Sequence, residues 1–163
     1  MHLGAKPDAG NAYSQNREQE LWDSFRDIIT ICNQKKTDLL LIAGDLFHRQ
    51  PLIRELREIN YIFEQVPEIQ VVIVAGNHDF LSVASNYRTF SFAKNVVFLK
   101  KNEIESVYFP ELNTEVYGMS YWHREETSDV YDHITPKRQD AINILLAHGG
   151  DAKHIPFSPA KII

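Results

Sequence analysis

Three apolar runs of the chain end in groups able to hold a metal ion or move a proton: Ala43-Gly44-Asp45, Ala75-Gly76-Asn77-His78-Asp79 and Ala147-His148-Gly149-Gly150. Carboxylate, amide oxygen and imidazole together form a mixed oxygen and nitrogen donor set. Such a set suits Mn, Fe or Zn better than an all-oxygen Mg or Ca cage. In open α/β sheets the ligand site lies beyond the carboxyl ends of the strands, so these groups could converge on one crevice. The adjacent glycines let backbone and ligand approach closely and accept dihedrals closed to other residues.

The apolar runs must bring these groups together. DLLLIAG at 38–44 and QVVIVAG at 70–76 are short and uniformly apolar, and read as strands buried on both faces. Between them Pro51 suits a first helical position, and Leu52, Leu56, Ile59 and Phe63 form an apolar stripe. Strand, helix, strand implies parallel pairing through a right-handed crossover, and in open α/β sheets ligands sit beyond the carboxyl ends of the strands. Upstream, Leu21, Trp22, Phe25, Ile28, Ile29 and Cys32 recur at helical spacing, with Asn16 as the expected N-cap and Lys35 and Lys36 near the end. After Asn95 the runs VVFL at 96–99, ESVYF at 105–109 and EVYGMS at 115–120 read as antiparallel strands of a second sheet. The polar stretch 123–140 reads as a surface loop or short helix, and INILLAHGG at 142–150 as a last buried strand.

Composition narrows the function classes. The chain has 163 residues, 44% hydrophobic and 24% charged, as expected of one domain with a sizeable core. Its formal net charge of −5 argues against a broad, sequence-independent grip on nucleic acid, so any phosphate must be held locally. Neither a leader-like start nor an apolar run long enough for a bilayer is apparent, which makes no membrane and a cytoplasmic location the expectation. Cys32 is the single cysteine, and its helical position reads as a small buried thiol without chemistry.

Bland explanations compete with the sharp ones. Asp45 could cap the next helix, but Pro51 puts that start several residues later. Asn77 and Asp79 could be turn formers, and His148 a satisfied polar residue at a strand end. His2 lies next to the chain start, and His48 beside Arg49 could simply face solvent. Tyr121, Trp122 and His123 could stack on bases, but aromatics after a strand are more often packing, so they are left out of the site.

GDLFH at 44–48, GNHD at 76–79 and HGG at 148–150, in this order, resemble the motifs of the calcineurin-like metallophosphoesterases, and HLGAK from His2 looks like the tail of that family's Asp-x-His-Leu-Gly motif. Within the superfamily the chain is most similar to SbcD-type DNA-repair exonucleases. The resemblance implies an α/β sandwich of two mixed sheets flanked by helices. It implies two divalent metals, manganese by preference with Fe or Zn as alternatives. Asp45 would bridge them, Asn77 and His148 would hold one, and His2 the other. His78 would face the scissile phosphate, stabilising developing charge or protonating the leaving oxygen; Asp79 would orient His78, and His48 would position a DNA strand end. The implied function is cleavage of DNA by a metal-bound hydroxide, with an SbcC-like ATPase as partner of the complete protein. A phosphatase or small-molecule phosphodiesterase on the same fold, and an inactive fragment serving only in interactions, remain alternatives.

Against the family pattern, Met1 stands at the middle position of Asp-x-His, and the Gly-His-x-His motif would lie beyond Ile163. The expectation is therefore a partial domain over 1–163 lacking the first strand and C-terminal part, binding at most one ion tightly and with little or no nuclease activity. An unpaired edge or apolar gap beside DLLLIAG would follow, and with it a homodimer.

Overall fold

The computed structural model describes residues 1–6, 10, 14–126, 131 and 134–149. Helix α1 (Ser14–Gln34) leads into β1 (Leu39–Ala43), α2 (Ile53–Glu64) and β2 (Gln70–Val74), followed by β3 (Val96–Phe98), β4 (Glu105–Phe109), β5 (Thr114–Gly118) and β6 (Ile142–Leu146). The strands form two sheets, a parallel β1-β2-β3 and a mixed β4-β5-β6 in which β5 runs antiparallel to β4 and parallel to β6. The α/β architecture of two sheets with helices is thus the expected one.

Strand β2 is the centre because its side chains alternate between two cores. Val71, Ile73 and Ala75 face Trp22, Phe25 and Ile29 of α1 and Leu56, Ile59 and Phe63 of α2. Val72 and Val74 face Val116 and Leu146 of the second sheet, with Phe109 and Leu99. All five β2-run residues from Val71 to Ala75 are fully buried, and each large one contributes roughly 1.5–3 kcal/mol of burial. That burial on both faces is why the run is continuously apolar rather than alternating.

Several sequence expectations shift. Asn16 does not cap α1, which already includes Ser14. Helix α2 starts at Ile53, not Pro51; its first turn is closed by Glu55, whose carboxylate accepts the Leu52 N–H at 2.7 Å and pairs with Arg49. VVF at 96–98 is not part of the second sheet but pairs parallel to β2, because the chain after β2 crosses back through a single 3-10 turn at Asn86–Arg88. β6 is buried only towards its end, Ile142 and Asn143 being exposed. The described parts of 123–140 contain neither α-helix nor strand; 127–130, 132–133 and Gly150 lie outside the described residues. Among the described residues no helix is long and apolar enough to cross a membrane.

β1 also differs from a strand buried on both faces: Leu39 to Ile42 are half-buried and Ala43 is exposed. Among the described residues β1 pairs only with β2, and a groove of about 220 Å³ runs beside it, lined by Phe25, Ile28, Leu40, Ile42 and Leu46. Ile28, read as core from its spacing, is 38% exposed there. Unpaired N–H and C=O groups next to apolar side chains are a template for another strand.

Candidate metal centre

The ends of β1, β2 and β6 meet on one side of the molecule, and the first of them turns sharply. Gly44 and Asp45 both adopt left-handed backbone conformations, with φ of 77° and 50°. A side chain at Gly44 would place its first carbon 2.5 Å from His148 Nδ1 and 2.8 Å from Gly76 Cα, so only glycine fits. At Gly76 the same carbon would collide with Asp45 Oδ1 and stand 2.8 Å from His148 Cε1. The two glycines create the space in which the carboxylate and the imidazole meet.

Asp79 lies beneath this space, fully buried. Its carboxylate accepts the N–H groups of Gly76 at 2.8 Å, Asp45 at 3.2 Å and Phe47 at 3.1 Å, and the Tyr87 hydroxyl at 3.2 Å. Burial pushes its carboxyl above the usual range, against the opposing pull of these donors; burial likewise raises the Tyr87 phenol, which stays protonated and donating. The role expected for Asp79, orienting His78, is not the one it plays. Its oxygens are engaged by the backbone of both loops, and His78 instead donates from Nδ1 to the His48 carbonyl at 3.0 Å. Carbonyl oxygens orient imidazoles as carboxylates do, and here one was nearer.

Above Asp79, the Asp45 carboxylate accepts the His78 N–H at 2.9 Å. Its Oδ1 lies 3.6 Å from His148 Nε2, and its Oδ2 lies 3.7 Å from His2 Nε2, so the carboxylate stands between two imidazoles. His148 donates from Nδ1 to the Ala43 carbonyl at 2.8 Å, which leaves Nε2 of the neutral ring as a lone pair. That nitrogen faces the Asn77 amide oxygen at 2.9 Å and the Asp45 carboxylate. Three acceptors directed at one another are what a bound cation resolves, and one nitrogen and two oxygens match the donor set of a divalent transition ion.

His2 is held in place by backbone. Its N–H donates to the Asp45 carbonyl at 2.9 Å, and Leu3 forms a parallel bridge with Phe47. Burial keeps the His2 imidazole below its ordinary range, ahead of the opposing attraction of Asp45. His48 is exposed, and its ring stacks on His78 with centroids 4.9 Å apart. Thus His2, Asp45, Asn77, His78, His148 and His48 border one crevice, and Asp79 is its floor.

Tyr121, left out of the site on sequence, belongs to its support: it is buried, and its hydroxyl donates to the His148 carbonyl at 3.1 Å. The available signal was its position just past β5, at the same sheet end as His148. Trp122 is packing, as expected, its indole donating to the Lys100 carbonyl at 2.9 Å under the Arg88 guanidinium.

The calcineurin-like phosphoesterase family profile matches residues 2–160. The chain is 28% identical over 150 residues to the DNA double-strand break repair protein Mre11 of Methanocaldococcus jannaschii, an alignment covering 87% of this chain and 40% of that protein. The chain thus spans less than half the length of that relative.

Because Asp79 alone answers three buried N–H groups and a hydroxyl, Asp79→Ala should cost about 3 kcal/mol or more in urea unfolding, several times the typical single hydrogen bond. A loss below about 1 kcal/mol would show that the loops are tied elsewhere.

Proposed function

The chain belongs to the calcineurin-like phosphoesterase family, and on that premise we propose that it is the nuclease part of a DNA-repair protein, a divalent-metal phosphodiesterase acting on DNA. The observation that carries this reading is the convergence of His148 Nε2, Asn77 Oδ1 and Asp45 Oδ1 on one point. A divalent ion, manganese by preference, with iron or zinc as alternatives, would supply the positive charge that offsets an anionic phosphodiester and acidifies an attacking water.

The chain's own groups divide the remaining work. Asp45, Asn77 and His148 hold the ion, and His2 approaches the second carboxylate oxygen of Asp45 from the other side. Among the described residues only the first side collects three ligands, so one tight manganese ion is the proposed stoichiometry. His78 is fixed with its Nδ1 proton on the His48 carbonyl, which aims the ring and leaves Nε2 to act. With a proton on Nε2, the imidazolium can stabilise charge on a phosphate oxygen or pass that proton to the leaving oxygen. His48, exposed beside it, is the group positioned to touch a strand end.

DNA is favoured over a small phosphate ester by the similarity to a DNA double-strand break repair protein and by GDLFH, which puts His48 at the rim. The acidic balance of the chain, −5, means that DNA must be held chiefly at the crevice, and an SbcC-like ATPase is the partner we assign to the complete protein.

Two measurements test this. Calorimetry should show one tight manganese equivalent that Asn77→Ala removes; no tight equivalent in the parent chain would sink the assignment of these ligands. Manganese-dependent release of nucleotides from end-labelled DNA should exceed turnover of a nucleotide diester or a phosphomonoester, stop with a chelator, and fall about 10²–10⁴-fold in His78→Gln. Preference for the monoester would favour a phosphatase instead.

A further inference from the structure

Beside the three-ligand position stands a second group of donors made entirely of nitrogen. His2, His48 and His78 each offer a ring nitrogen, and these three atoms lie within 4.8 Å of one another. The rings touch pairwise: His2 meets His78 edge-on at 4.8 Å and His48 at 5.6 Å, while His48 and His78 stack at 4.9 Å. We propose that these three imidazoles form a separate transition-metal site, selective for zinc, cobalt, nickel or copper over manganese.

Two further observations point to a ligand there. His2 Nδ1 is shielded from solvent and makes no hydrogen bond, an unmet polar atom at the cluster. His78 has its Nδ1 proton committed to the His48 carbonyl, so the neutral ring carries its lone pair on Nε2, in the state a metal requires. The positions are also constrained. Asp79 bonds the Phe47 N–H, one residue before His48, and is itself the residue after His78, so the two loops cannot drift apart. His2 is tied to the same loop through the Asp45 carbonyl and the Leu3 bridge.

The three nitrogens, within 4.8 Å of one another, must close further to share an ion. Nitrogen ligands of a tetrahedral zinc ion stand about 3.3 Å apart, since each bond is about 2.0–2.1 Å long. Binding would therefore turn the exposed His48 ring out of its stack on His78. Three imidazoles leave the fourth position for water or a phosphate oxygen. A nitrogen-only set discriminates against manganese because affinity rises along the series from Mn to Cu and imidazole favours the later ions.

The site has a consequence for the reading above, on which this one point rests. Metal on His78 Nε2 occupies the lone pair that would otherwise take the proton destined for the substrate. Zinc at the three histidines and proton transfer by His78 are mutually exclusive, so zinc in excess should inhibit manganese-dependent cleavage.

The test is metal binding by the full chain, freed of metal beforehand. Zinc calorimetry should show two equivalents where manganese shows one, and cobalt should develop the visible bands of a four-coordinate ion. His48→Gln and His2→Gln, each checked for an unchanged melting profile, should weaken one zinc equivalent at least tenfold and remove the cobalt bands. Asn77→Ala should remove the other equivalent and spare the bands. The absence of any zinc equivalent that both histidine variants weaken overturns the proposal, as does loss of both equivalents in Asn77→Ala. A missing manganese equivalent with the histidine-dependent zinc retained would instead sink only the three-ligand assignment.

Discussion

The crevice depends on one buried carboxylate. Strand pairing joins β1 to β2 only as far as Ala43 and Val74; beyond those residues that ladder ends and no longer ties the loop carrying Asp45 to the loop carrying His78. Asp79 replaces the ladder by accepting donors from both loops at once, two from Asp45 and Phe47 and one from Gly76, with Tyr87 closing the remaining position. A charged acceptor forms stronger hydrogen bonds than a neutral one, and in a low-dielectric setting its geometry is exacting. The spacing between the two loops therefore follows from the reach of one short side chain.

With that spacing set, the ligands are arranged by steric necessity and by backbone. Asp45 reaches the crevice because its own conformation is left-handed, which aspartate tolerates better than bulkier residues. His148 arrives from the second sheet, so its place depends on packing between sheets, Val72 and Val74 against Val116 and Leu146. Ser120 reinforces that docking: its hydroxyl accepts the Ala75 N–H at 2.9 Å and donates to the Leu99 carbonyl. The next residue, Tyr121, then holds the His148 carbonyl.

The imidazoles are oriented by main-chain carbonyls, Ala43 for His148 and His48 for His78. A carbonyl in an ordered loop has no rotamers to lose, so it fixes a ring's tautomer at low entropic cost. Each ring is thus left with one nitrogen for chemistry, and the unused lone pairs collect in the crevice. A site built in this way could hold a cation.

Much of this was legible in the chain. The uniformly apolar strands, the helix stripe between them and the polar groups after Ala43, Ala75 and Ala147 specified a parallel βαβ unit with its chemistry at the strand ends. Residue type alone identified the donors, because carboxylate, amide and imidazole are recognisable wherever they fall. What the sequence could not decide was which donor faces which partner. Asp79 adjoins His78 in the chain yet serves Asp45 and Phe47, and His78 is oriented by His48, thirty residues away. Nor could it place VVF at 96–98 or Tyr121, since pairing partners and sheet-end neighbours are set by contacts distant in sequence. Periodicity reports which residues are buried. Hydrogen-bond pairing depends on ångström-scale geometry between loops, and only the packed sheets and the buried Asp79 establish that.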